Sequence, residues 1–217
     1  NNAGFFSISD KNLRRFSELM IQDMSSVDIL ASWLQDESRF EKELSNVYKI
    51  WLEYLNPYWS ENPWSRALEG KKVLVVHPFV DSIQKQYKKR AFLHKHPQTL
   101  PDFDLKTIKA VQGIGGVCNE GFKDWFDAFE YMKAEINKSN YDICILGCGA
   151  YGFPLAAHVK RMGKKAIHMG GATQMLFGIK GKRWEDEYGE FMNEHWIRPS
   201  KEETPINAMK IENGCYW

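Results

Sequence analysis

Apolar residues recur at three- and four-residue steps early in the chain, with Leu13, Phe16, Met20, Met24, Val27 and Leu30 forming one stripe. That spacing predicts helix from residue 10 to about 54, and Ser9 or Asp10 stands where an N-cap belongs. Residues 56–64 read Asn-Pro-Tyr-Trp-Ser-Glu-Asn-Pro-Trp. This mixture of turn formers and aromatics places a boundary near residue 65, separating an N-terminal helical segment (1–65) from a second region (66–217). Beyond the boundary short apolar runs alternate with amphipathic ones. Strands are expected at 72–77, 105–112, 142–146 and 165–169, and helices at 81–94, 122–138 and 151–162. Such alternation implies βαβ units with right-handed crossovers, hence an α/β fold with a Rossmann-like parallel sheet and flanking helices. Ligands of such sheets bind outside the carboxyl ends of the strands. After residue 171 the pattern loses regularity. Residues 176–184 read as a mobile or substrate-facing loop, followed by a helix near 185–195.

The segment with the most chemistry joins the third strand to the third helix. Asp142-Ile143-Cys144-Ile145-Leu146 runs into Gly147-Cys148-Gly149-Ala150-Tyr151-Gly152, and Leu155, Ala156 and Val159 continue at helical spacing. This is G-x-G-x-x-G between a strand and a helix. Glycine lets the backbone turn tightly and approach a phosphate, whose charge then meets free amides at the helix start. The same glycines also suit a turn that only permits tight strand-to-helix packing. A dinucleotide site expects an acidic residue about 20 positions on, for the ribose hydroxyls. Here the next strand reads Lys165-Ala166-Ile167-His168-Met169, which disfavours NAD. That absence also weakens an S-adenosylmethionine-dependent methyltransferase reading, the third functional class.

Composition narrows the rest. Lys and Arg number 29 and Asp and Glu 28, so the net charge of +1 supplies no basic field for nucleic acid. Any anion must be held locally. No apolar run approaches the roughly 20 residues of a membrane span, so a soluble cytoplasmic protein with at most peripheral membrane association is expected. Cys118, Cys144, Cys148 and Cys215 show neither zinc nor C-x-x-C spacing and are expected to be reduced.

Other groups stand near the expected ligand side. His77 ends the first strand, where it is placed to donate to a phosphate or to act as a general base near neutral pH; the bland alternative is a histidine bonded to backbone. His168 ends the fourth strand. Gly170, Gly171, Thr173 and Gln174 follow it with further amides and hydroxyl-reaching side chains. Lys180, Lys182 and Arg183 form a small basic cluster suited to a diphosphate. Glu185, in the run Glu185-Asp186-Glu187, offers a carboxylate base or a hard-cation ligand, and a helix-start acidic run explains it equally well.

The succession of strand, small-residue turn, Leu-Ala-Ala helix, Gly-Lys-Lys turn and Ala-Ile-His-Met-Gly over 142–171 resembles the GT-D glycosyltransferases of bacterial surface-glycan assembly. The chain also resembles uncharacterised proteins of bacterial polysaccharide biosynthesis clusters. The resemblance implies a transferase using a nucleotide-sugar donor, a UDP-sugar foremost, with a glycan acceptor. In that family a D-x-E motif after the corresponding strand binds a divalent metal, Mn2+ or Mg2+. Here its register falls on Thr173 and Met175, and metal use is left open. The expectation is a glycosyltransferase holding its donor with amides around Gly147, Gly149, Ala150, Tyr151 and Gly152 and around Gly170, Gly171, Thr173 and Gln174. His77, His168 or Glu185 would serve as base for an inverting transfer. The alternative class is a non-catalytic nucleotide- or sugar-binding protein of a polysaccharide complex.

Overall fold

Residues 72–77, Lys-Val-Leu-Val-Val-His, are apolar on both sides of the pleat and take the centre of a parallel sheet, where both faces are covered. The computed structural model, which describes residues 3–118 and 120–217, has four such strands. They are β3 (Lys72–His77), β4 (Asp104–Lys109), β5 (Ile143–Leu146) and β6 (Lys165–His168), in the spatial order β4-β3-β5-β6 and all parallel. The register sets Val75 beside Thr107 on one side and beside Ile145 on the other. The fold is α/β and Rossmann-like.

Because successive side chains on a strand point to opposite faces, the sheet divides the core in two. Leu74, Val76, Cys144 and Leu146 face α3 (Trp125–Lys138) and α4 (Gly152–Arg161). Val73, Val75 and Ile145 face the layer formed by α2 (Val80–Tyr87), α5 (Ala172–Leu176) and α6 (Lys182–Tyr188). Trp125, which has no exposed surface, anchors the first layer, with Phe5, Phe16, Phe129 and Tyr151 around its ring. Asp124 starts α3 by accepting from the amides of Phe126 and Asp127.

The helix expected over 10–54 ends at Met24. α1 (Asp10–Met24), capped by Ser9, packs against α4, and Arg161 reaches back to the buried carboxylate of Asp23. After it come β1 (Ile29–Ser32) and β2 (Tyr48–Trp51), a separate two-stranded parallel sheet. Val27 and Leu30 continue the helical period, but Ser25 and Ser26 stop the helix, and strand pairing with a partner some twenty positions on takes over. The Glu37 carboxylate fixes this corner by accepting from the Ser32 hydroxyl and the amides of Trp33 and Leu34.

The segment 176–184, expected as a mobile or substrate-facing loop, is largely core, with Lys182 and Arg183 exposed. Phe177 and Ile179 are fully buried, and the backbone pairs with Ile197 through Lys180 N–H at 2.7 Å. The following helix begins at Lys182 and ends at Tyr188, earlier than the 185–195 expected. All four cysteines are free thiols, with Cys144 and Cys148 buried and their pKa raised by desolvation. Among the described residues no helix is long and apolar enough to cross a membrane.

Candidate functional site

The order β4-β3-β5-β6 sends the chain in opposite directions after β3 and β5, so a crevice opens between their carboxyl ends. A cavity of about 250 Å³ lies there. Its floor is His77-Pro78-Phe79 and Gly147-Cys148-Gly149, its walls include Val111 to Ile114 and Tyr151, and Gly171, Gln174 and Arg183 reach it from the α5–α6 side. Two segments far apart in sequence close it. Ala3 and Gly4 come from the start of the chain; Ile211, Glu212, Tyr216 and Trp217 come from its end.

Each glycine of the turn meets a group of the protein itself. A Cβ on Gly147 would lie 2.5 Å from Thr173 Oγ1 and 2.6 Å from His77 Cδ2, so glycine here lets α5 and the end of β3 pack together. Gly149 has φ +57°, and a Cβ on it would overlap the carbonyl oxygen of Ala3. The neighbouring Ala150 amide donates to that same oxygen at 2.7 Å. Gly152 makes room for the ring of His168. The first amide of the helix-start nest is therefore met by a main-chain carbonyl.

The second helix start facing this edge is met likewise. Glu203, 5% exposed, accepts from the amides of Asp81 (2.9 Å) and Ser82 (3.1 Å) at the beginning of α2, and from the Ser82 hydroxyl. The aligned amides of a helix N-terminus favour such an anion. Trp217 Nε1 donates to the Glu203 carbonyl at 3.0 Å and so ties the end of the chain to this cap.

His77 lines the crevice and is only 2% exposed. Its Nδ1 accepts the Phe79 amide at 3.0 Å, which places the ring proton on Nε2. No hydrogen bond joins Nε2 to another described residue, and the side chain lines the cavity. Desolvation pushes the pKa down to about 3, so the ring is neutral near pH 7. In this tautomer Nε2 carries the proton and presents a donor.

The other two candidate bases lie elsewhere. His168 is not part of the cavity lining. Its ring rests on Gly152, its Nε2 is buried without a partner among the described residues, and burial lowers its pKa to about 4. Glu185 forms an ion pair with Arg198 at 2.6 Å, also away from the cavity. Of the expected binding positions, Gly147, Gly149, Tyr151, Gly171 and Gln174 line it, whereas Ala150, Gly152, Gly170 and Thr173 do not. Thr173 is fully buried beneath Gly147, and Gln174 Nε2 donates to the carbonyl of Tyr216 at 3.2 Å. Tyr151 stacks on Trp125 at 4.7 Å and buries a hydroxyl that has no partner among the described residues.

The charged lining is a pair at the mouth. Arg183, its side chain 38% exposed, bonds to the Glu212 carboxylate and donates to the Tyr216 hydroxyl at 3.2 Å. Lys180 and Lys182 of the same basic cluster do not reach the cavity. Sequence reasoning missed Glu203, Glu212, Tyr216 and Trp217, for which the only local signal was an aromatic pair in an irregular tail. Among the described residues no group of three or more His, Cys, Asp or Glu side chains is disposed to hold a metal ion. No protein-family model matches the chain, and neither the curated proteins nor the solved structures hold a significant match.

Proposed function

We propose that the protein binds a nucleotide-sugar donor in the crevice between β3 and β5 and acts as a glycosyltransferase of bacterial surface-glycan synthesis. The observation that carries this reading is the cavity at the point where the strand order reverses, the place where open α/β sheets take nucleotides. The resemblance over 142–171 supports the class of donor. Among the described cavity residues His77 holds its proton on Nε2 and Glu212 is engaged by Arg183, which favours a transfer that needs no protein base at the acceptor hydroxyl. Arg183 at the mouth is the group placed to stabilise a departing diphosphate.

The same two observations favour one second reading, a nucleotide- or sugar-binding protein without catalysis. Isothermal calorimetry of the full chain against UDP-sugars, with and without Mn2+, tests both. Binding accompanied by slow donor hydrolysis or transfer to a glycan acceptor supports the transferase. Binding with an intact donor after prolonged incubation supports the second reading, and no binding of any UDP-sugar removes the transferase reading with a UDP-sugar donor.

A further inference from the structure

Resting on the nucleotide reading, we infer that the cavity takes the base end of a pyrimidine nucleotide, with the phosphates outward at Arg183, the reverse of a phosphate seated on the glycine turn. Both helix starts at this edge are already served by oxygens of the chain, the Glu203 carboxylate on α2 and the Ala3 carbonyl on the Ala150 amide. A diphosphate seated on the glycine turn would have to displace the Ala3 carbonyl from the Ala150 amide.

The lining agrees with a ring. Phe79, Tyr151, Ile114 and Trp217 give the cavity apolar and aromatic walls. No cation among the described residues lies deep in it; the charged lining is the Arg183–Glu212 pair at the rim. An unpaired phosphate in such surroundings is costly, whereas a planar uncharged ring loses little on leaving water. The buried donor, His77 Nε2–H, is neutral and suits a base carbonyl. At about 250 Å³ the space falls below the roughly 300–1,000 Å³ of pockets for drug-sized ligands, which fits one ring and its ribose better than a whole nucleotide sugar.

Calorimetry of the full chain with uridine, UMP, UDP, guanosine and pyrophosphate separates the orientations. Uridine should bind by itself, UDP about tenfold more tightly, and pyrophosphate at millimolar concentration should neither bind nor compete; guanosine should not bind. Arg183→Ala should erase the UDP advantage and leave uridine unchanged. His77→Asn keeps an acceptor for the Phe79 amide and removes the Nε2 donor, so it should weaken uridine and UDP alike, by about tenfold. UDP binding without uridine binding, competition by pyrophosphate, or guanosine binding as well as uridine would overturn the orientation or the ring size while the nucleotide reading stands. If no nucleoside or nucleotide binds, the nucleotide reading fails and this inference with it.

Discussion

Glu203 Oε1 lies 2.9 Å from the amide nitrogen of Asp81, a contact between residues 122 positions apart in the chain. It joins the C-terminal tail to the first turn of α2 and satisfies the part-buried amide of Asp81 and the buried donors of Ser82. Replacing Glu203 with Ala orphans the amides of Asp81 and Ser82 together with the buried Ser82 hydroxyl. A loss of about 2 kcal/mol is expected, the usual cost of leaving buried donors of a charge-assisted contact unmet. Glu203→Gln should recover part of it, because an amide oxygen still accepts from Asp81 while the amide nitrogen opposes the Ser200 N–H. Urea midpoints of the three proteins, at unchanged m-value, check the order.

Gly149 and Ala3 are coupled by the same kind of contact. Its φ of +57° makes any side chain unfavourable, and the Ala3 carbonyl fills the space a Cβ would need. Gly149→Ala should cost about 1–2 kcal/mol from the backbone conformation, plus a further amount from the displaced N-terminal segment. In a chain lacking residues 1–4 only the first part remains. A double-mutant cycle read by chemical unfolding should therefore show a coupling of about 0.5 kcal/mol or more, and strict additivity would mean that the segment does not sit on the turn.

These two contacts also show where local sequence stops being informative. The strands at 72–77, 142–146 and 165–168 could be read from continuous apolar runs bounded by turn formers, and the glycine turn from its position between strand and helix. Glu203 could not, since it sits in the polar run Lys201-Glu202-Glu203-Thr204 with no period, and its role depends on a helix start 122 positions away. Phe5 and Phe6 were equally silent, Phe5 being core because Trp125 meets its ring and Phe6 because it packs into the same cluster. The helix expected through Leu30 failed for a related reason. Ile29–Ser32 keeps apolar spacing compatible with either form, and its parallel pairing with Tyr48–Trp51 decided the outcome. Of the three candidate bases only His77 reached the cavity, because strand ends at the reversal point share a crevice while His168, one strand further out, is covered by Gly152.

His77 makes stability depend on pH in a defined direction. Its pKa falls from an ordinary value of about 6.5 in the unfolded chain to about 3 in the fold, through desolvation. Between these values the unfolded state binds the extra proton. Stability is therefore complete above about pH 6.5 and declines as pH falls towards 3, by about 1.4 kcal/mol per pH unit for this one group. His168, lowered to about 4, adds to the slope over a shorter window. Unfolding free energies at pH 7, 6 and 5 should show a shallower decline in His77→Asn than in the parent, by about one proton. Parallel curves would mean that the His77 ring is open to water.

Gly147 has no positive φ, so its requirement for glycine is purely one of space, and that makes it separable from backbone effects. A methyl group there would stand 2.5 Å from Thr173 Oγ1 and 2.6 Å from the His77 ring. Both neighbours are held, Thr173 fully buried at the start of α5 and His77 by the Phe79 amide, so neither yields without moving its element. Gly147→Ala should therefore cost about 1–3 kcal/mol, the range for overpacking a filled interior. Adding Thr173→Ala removes the hydroxyl from the closest contact and should return part of that stability. The His77 contact remains, so the double variant should still place the imidazole differently. Ligand affinity then distinguishes the two neighbours: if Nε2 of His77 reads the ligand, the double variant regains stability but not uridine binding, and recovery of both would assign the effect of Gly147→Ala to Thr173 alone.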